Sequence, residues 1–540
     1  MEHTKPSYYI TTPIYYVNAK PHLGTAYCTI LADVQARFRR ACGMDVKFLT
    51  GMDEHGEKVA EAAEKNGFDT PQAWCDSMEP AFRDLWETLE ISNDDFIRTT
   101  QPRHIAGVQK FLKALLDNGY IYKDAYDGWY CRPDETYFTE TQVRHHEEER
   151  VAAGEAPADP EHPLCPDCDR PLERIKEESW FFKLSAFEQP LLDFFEAHPD
   201  FIQPETRRNE VVSFVKGGLK DLSISRSTFD WGVPFPFDEK HVAYVWVDAL
   251  INYLSAVGYG ADGQEAADTL ALRWPAQYHV VGKDIIRFHC VIWPALLMAA
   301  GLPLPEKVFV HGFLTVRNEE TGKVEKMSKS RGNAIAPEEV IDLLGVEAYR
   351  YYFMSDVTHG ADSPISWGRM RQVYNADLAN SWGNLVSRTL NMSMKYFDGC
   401  APARPANFDD PSPLHDACDG IFERYAACME AIDYSGAAAE VLKIVSAANH
   451  YIEDMAPWAL AKDPAKADEL ASVIWNLLEV IRIASELYDP FMPRISAEVR
   501  RRLSLEPAPT SDLAAACAWG GLVGGAPVEK GEPLFPRLVD

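Results

Sequence analysis

At 540 residues the chain is too long for one compact core, and at about 100–200 residues per unit it should hold roughly three or four structural units. Hydrophobic residues make up 46% and charged residues 25%, a globular balance that excludes a disordered or fibrous polypeptide. The net charge of −29 argues at face value against a phosphate-rich partner. No apolar run reaches the length of about eighteen residues that a membrane span needs, and the start MEHTKPSYYITTP lacks the basic-then-apolar order of a secretory signal. A cytoplasmic protein without membrane association is expected. Eleven scattered cysteines, with only Cys165 and Cys168 closely spaced, suit free thiols in a reducing compartment better than disulfides.

In chain order, Ser7 to Thr12 is aromatic and β-branched and predicts a strand. Residues Thr25 to Arg40 place apolar groups at helical spacing and stop before Gly43, and Asp45 to Thr50 predicts a second strand. Such a β-α-β unit is parallel and right-handed, so the segments Thr11–Gly24 and Gly51–His55 should face each other at the ligand-binding edge. From 120 to 236 aromatic and charged residues dominate around the stretch VAAGEAPADPEHP, which suggests an insertion. Strands return at Tyr278–Gly282 and Lys307–Gly312. Beyond Trp367 only helical periodicity remains, clearest at 438–454 and 468–488, with a loop at 401–413 and a tail at 506–540 that ends in a short β-like segment. The expected fold is α/β: a Rossmann-like parallel sheet split by an inserted connective domain and followed by an all-α helical bundle. The expected units are 1–119, 120–236, 237–315, 316–366 and 367–540.

Two motifs carry chemistry. Pro21-His22-Leu23-Gly24-Thr25 falls at the strand-to-helix turn, where unpaired N–H groups and the helix dipole favour an anion. Lys326-Met327-Ser328-Lys329-Ser330, followed by Arg331-Gly332-Asn333, puts three cations on a Ser/Gly-rich loop. Together they resemble the HIGH and KMSKS signatures of class I aminoacyl-tRNA synthetases, with Thr25 where the signature ends in histidine. The resemblance implies ATP accompanied by Mg²⁺, and a catalytic set of His22, Gly24, Thr25, Lys326 and Lys329 that stabilises charge on the phosphates as pyrophosphate leaves. Lys329 should act on rate more than on ground-state binding.

Five further segments are similar to the methionyl-tRNA synthetase family, in its bacterial short form: Thr12–Asn18, Thr50–Gly56, Tyr244–Ala249, Val281–His289 and Met455–Trp458. By that resemblance Ile14, Tyr16, Trp246, Ala249, Leu250, Tyr253, Ile285 and His289 line a slot for the thioether of L-methionine, whose sulfur suits apolar and aromatic walls. Asp53 would hold the ammonium, and Gly282, Lys283 and Asp284 the adenosine side of ATP. Taken alone, Trp246 and Tyr253 at a spacing of seven also fit a helix core, and Asp53 fits an N-cap of a helix at Glu57–Lys65. In the insertion Cys131, Cys165 and Cys168 resemble a zinc knuckle, with Asp134 or His162 as fourth ligand; the alternative is a degenerate knuckle that has lost its metal. The insertion leaves no room for a separate editing domain. Asn384, Arg388, Pro457 and Trp458 match anticodon-reading positions, so the bundle should bind initiator and elongator tRNA(Met). A monomer is expected.

Overall fold

The computed structural model describes residues 5–132, 136–327, 333–403, 412–506 and 508–539. Asp134, Lys329 with its neighbours Ser328, Ser330, Arg331 and Gly332, and most of the loop expected at 401–413 lie outside the described residues. The first three elements are a strand at Ser7–Tyr16 (β1), a helix at Leu23–Ala41 (α1) and a strand at Asp45–Asp53 (β2), with β1 and β2 parallel.

Both strands run further than their sequence predicts. Pro13 has no N–H to donate, which suggested that β1 stops at Thr12. Instead the pairing shifts register between Thr11 and Ile14 and resumes with Ile14, Tyr15 and Tyr16 opposite Gly51, Met52 and Asp53. The Thr12 hydroxyl lies 2.8 Å from both Thr50 Oγ1 and the Pro13 carbonyl across this irregularity. The two strand tips are therefore neighbours held in register, and Tyr16 sits beside Asp53. Gly51 has a packing reason: a Cβ there would lie 2.1 Å from the Ile97 carbonyl oxygen on the next strand, Asp95–Arg98.

The main sheet has six strands in the order Asp95–Arg98, β2, β1, Tyr278–Gly282, Lys307–His311, Ile202–Gln203, and every neighbouring pair is parallel. The chain reverses its direction of build between β1 and Tyr278–Gly282. In such sheets the crevice outside the carboxyl ends at this point is the ligand site. The outermost strand, Ile202–Gln203, comes from within 120–236, so part of the stretch expected as an insertion completes the parent sheet. What stands apart is an antiparallel sheet in the order Thr136–Phe138, Ile121–Cys131, Glu173–Phe182, Leu222–Ser223, with a small core that includes Trp129, Phe138, Val143 and Leu172.

After a small three-stranded sheet of Val324–Lys326, Leu314–Arg317 and Ser363–Ile365, the described chain from Trp367 on is helical. Its longest described helices are Tyr434–Met455 and Ala467–Tyr488; from Val473 to Tyr488 the latter is buried all round, as a central bundle helix should be. Two buried charges on it organise the tail: Glu479 pairs with Arg482 at 2.7 Å and also accepts the N–H groups of Gly520, Gly521 and Leu522. The tail contains a short helix at Leu513–Ala516 and an isolated β-bridge from Pro527 to Cys400, and its described last residues form no strand, which corrects the β-like ending. Its last residues lie against the bundle rather than a sheet edge. Tyr374 donates to the Pro536 carbonyl, and Asn375 bonds both backbone groups of Leu538. A fully buried Arg350 fastens bundle to sheet: its guanidinium meets Asp33 of α1 at 2.7 Å and the carbonyls of Leu89, Pro490 and Phe491 at 2.9–3.0 Å.

Candidate functional site

His22 is the N-cap of α1, in an extended conformation. Its Nδ1 accepts the Thr25 N–H at 3.2 Å, and its own N–H donates to Thr25 Oγ1 at 3.4 Å, a reciprocal capping box. Thr25 thus has a structural task that explains a short hydroxyl residue there. An accepting Nδ1 leaves the ring proton on Nε2. Gly24 is small for the same histidine, because a Cβ would press on the imidazole at 3.1 Å.

Across the crevice, Gly282 ends its strand where a Cβ would meet Asp284 Oδ1 at 2.4 Å. The Lys283 ammonium is 2.7 Å from Asp362, whose other oxygen accepts the Phe313 N–H at 2.9 Å. Lys283 and Lys326 both stand over the Phe313 ring, at 4.4 and 5.4 Å from its centre. The lysine that opens the KMSKS segment therefore meets the loop after Gly282 on one aromatic ring.

Ile14, Tyr16, Trp246 and Ile285 are half-buried, with Ala249, Leu250, Tyr253 and His289 buried. Trp246, on the helix Val245–Leu250, stacks on Phe288 at 3.9 Å and 11°. The Tyr253 hydroxyl is 2.7 Å from His289 Nε2, and His289 Nδ1 is 3.0 Å from the Ile285 carbonyl. A carbonyl can only accept, so Nδ1 donates and Nε2 takes the phenol proton. Burial pushes His289 down to about 4, which keeps this ring neutral. Asp53 is buried at the end of β2; the helix Glu57–Lys65 begins at Gly56 with no side-chain cap, so Asp53 is not its N-cap. Asp248, His55 and His104 form a buried cluster; His55 and Asp248 fall within the family-like segments Thr50–Gly56 and Tyr244–Ala249, but nothing in the sequence joined them to each other or to His104. The one available signal was an acid inside the apolar run Val245-Trp-Val-Asp-Ala-Leu250.

Residues 8–390 match the family described as tRNA synthetases class I (M), and residues 402–540 match the anticodon binding domain of methionyl tRNA ligase. The methionine–tRNA ligase of Streptomyces coelicolor is 45% identical over 98% of this chain and 97% of its own length. That of Caldanaerobacter subterraneus is 45% identical over 99% of this chain and 79% of its own. The solved structure of Mycobacterium tuberculosis methionyl-tRNA synthetase in complex with methionyl-adenylate superposes with a TM-score of 0.89 at 39% identity, covering 98% of this chain and all of the other. The chain belongs to the methionyl-tRNA synthetase family. Its class I fold is the split parallel sheet followed by a helical anticodon-binding region, and its activity is methionine–tRNA ligation.

In this synthetase the thiols of Cys131, Cys165 and Cys168 converge, their sulfurs all within 4.8 Å of one another and Cys131 Sγ 3.6 Å from Cys168 Sγ. The Asp167 N–H points at Cys165 Sγ at 3.4 Å. At a Zn–S bond of about 2.3 Å, tetrahedral zinc holds its sulfurs about 3.8 Å apart, so the trio suits a metal ion. His162 turns Nδ1 toward the Leu172 carbonyl at 3.4 Å and is outside the thiol group.

On the helix Asn384–Tyr396, Asn384 and Arg388 are one turn apart and reach Asn449 at 3.4 Å and Glu453 at 2.7 Å on Tyr434–Met455. Asn380, Asn384 and Ser387 line a groove of about 400 Å³ closed by Leu534 and Phe535 of the tail. Pro457 is buried and Trp458 is 43% exposed, on a short helix that starts after Ala456 in the left-handed region at φ 41°. An alanine there is strained, and the turn it makes presents the indole outward.

Proposed function

We propose that the crevice between β1, β2 and the Tyr278–Gly282 strand holds methionine and ATP together. What supports this is that the capped α1 N-terminus follows β1, Asp53 ends β2 and Lys283 follows Tyr278–Gly282, at the carboxyl ends of three adjacent parallel strands, with Lys326 over the same Phe313 ring as Lys283. Asp53 binds the ammonium; Ile14, Tyr16, Trp246, Ala249, Leu250, Tyr253, Ile285 and His289 surround the thioether. The methionine carboxylate attacks the α-phosphate, the bond to the β-phosphate breaks, and pyrophosphate leaves with the Mg²⁺ that came with ATP. His22 Nε2–H and the α1 N-terminus at Gly24 and Thr25 take charge on one side, and Lys326 and Lys329 on the other, as groups fixed before the charge develops. Gly282, Lys283 and Asp284 take the adenosine. The methionyl group then passes to the 3′ end of tRNA, whose anticodon meets Asn384, Arg388, Pro457 and Trp458.

Cys131, Cys165 and Cys168, with Asp134 as fourth ligand, hold one structural zinc. The enzyme works as a monomer in the cytosol on initiator and elongator tRNA alike; among the described residues no helix is long and apolar enough to cross a membrane. Pyrophosphate exchange measured with each amino acid tests the pocket. Exchange is expected with methionine; turnover with leucine, valine or cysteine at comparable kcat/KM overturns the assignment.

A further inference from the structure

Asp248 lies on the helix Val245–Leu250, between Trp246 and Ala249, with no exposure. Its two oxygens go to different histidines: Oδ2 is 2.6 Å from His55 Nδ1, and Oδ1 is 2.7 Å from His104 Nε2. His104 is fully buried and turns its other nitrogen to Ser255 Oγ at 2.9 Å; His55 is nearly buried, edge-on to Trp231. Burial opposes ionisation of Asp248, yet the two histidines hold its carboxyl down to about 2. A carboxylate only accepts, so His55 donates from Nδ1 and His104 from Nε2. Two short charge-assisted bonds offset the desolvation of the buried carboxylate.

The cluster joins three elements. His55 follows Asp53 by two residues. The segment they share is pinned from its other side, where Val17 N–H meets the Asp53 carbonyl at 3.2 Å, Arg98 meets Glu54 at 2.6 Å, and Trp231 donates to the Glu54 carbonyl at 2.6 Å. His104 belongs to the helix Pro102–Asp117, which packs against the short helix carrying Tyr253 and Ser255. Asp248 is thus the strut between the strand tip that bears Asp53 and the helix that bears Trp246, Ala249 and Leu250.

We propose that Asp248, braced by His55 and His104, is the positioning residue that sets the separation between the ammonium site and the thioether slot, and with it the affinity and side-chain-length selectivity for methionine. This rests on the assignment of Asp53 and the Val245–Leu250 wall to methionine, and Asp248 itself touches no substrate.

The test is pyrophosphate exchange on the full chain. Asp248→Asn keeps shape but cannot accept from both imidazoles. It should raise the methionine KM by about tenfold, the cost of one lost buried charge-assisted bond, with the ATP KM within about twofold. The preference for methionine over the longer ethionine should fall at least about threefold. A residue needed only for folding would lower the active fraction, counted by the adenylate burst, and leave both KM values and that preference in place. An unchanged methionine KM and an unchanged preference therefore overturn the proposal. Should Asp248→Asn not accumulate, His55→Ala against His55→Asn decides, because the asparagine amide stands where Nδ1 stood. The alanine should reproduce the KM defect and the asparagine should reverse most of it; equal behaviour of the two overturns the strut. Asp53→Asn separates the layers: if it leaves the methionine KM unmoved, the ammonium assignment fails, whereas a defect there with none in the Asp248 and His55 variants defeats the strut alone.

Discussion

Glu347 lies in the first turn of the helix Val346–Ser355, and its Oε2 accepts the Ile495 N–H at 2.9 Å while Oε1 is buried with no hydrogen-bond partner. Burial raises its pKa from the ordinary carboxylate range to about 7, with Arg350 pulling the other way. Asp33 is as deeply buried, yet Arg37 and Arg350, at 2.9 and 2.7 Å, hold it well below that range. The difference is partner count. A folded-state pKa above the unfolded one gives stability that is complete below about pH 4.5 and is lost as pH rises through about 7. Glu347→Gln should therefore be the more stable protein at pH 8, by up to about 3 kcal/mol, and the gap should close by pH 4.5. Thermal midpoints of the two proteins across that range check this; a gap independent of pH would show that the buried charge is not what Glu347 contributes.

Elements differ in how far their sequence announces them. α1 was legible because its 3.6 period and Gly43 agree, and because His22 and Thr25, three residues apart, cap it with each other. β1 was cut short at Pro13, since a register shift that absorbs a proline depends on the partner strand and leaves no local mark. The Asp248 strut was invisible for a related reason: His55 and His104 are 193 and 144 residues away from Asp248, and a single buried carboxylate looks like any acid on a helix. The knuckle lies between these cases. Its paired Cys165 and Cys168 could be read, while the approach of Cys131 depends on the strand Ile121–Cys131 folding back along Glu173–Phe182. Three sulfurs within 4.8 Å of one another would repel as thiolates without a cation. The purified enzyme should carry about one zinc per chain, and Cys168→Ser should lose it, since three protein ligands remain at most and structural zinc takes four. Elemental analysis after dialysis against a mild chelator reads this directly, and metal-free wild type that still folds and turns over would favour the degenerate knuckle.

The whole molecule carries −29, and tRNA is a polyanion, so binding depends on where cations escape that field. Lys326 and Lys283 are gathered on the Phe313 ring at the crevice, and Arg388 stands on the bundle helix Asn384–Tyr396. Neither group is idle before tRNA arrives: Lys283 leans on Asp362 and Arg388 on Glu453, each at 2.7 Å. On the proposed roles of Lys283 and Arg388, each acidic partner is a competitor that a bound phosphate has to displace. Glu453 is 60% exposed at its side chain, so its pair with Arg388 is worth at most about 1 kcal/mol. A nucleotide competing for Arg388 must displace it. Glu453→Gln should therefore bind tRNA(Met) up to about fivefold more tightly at 50 mM salt, and the advantage should shrink toward 200 mM as the Debye length falls below about 10 Å. Wild-type affinity should weaken over the same interval, because every cation that meets a phosphate releases a counterion. Filter binding of both proteins across that salt range measures the two effects together. Equal affinities of variant and wild type at low salt would defeat the idea that Glu453 competes with tRNA for Arg388.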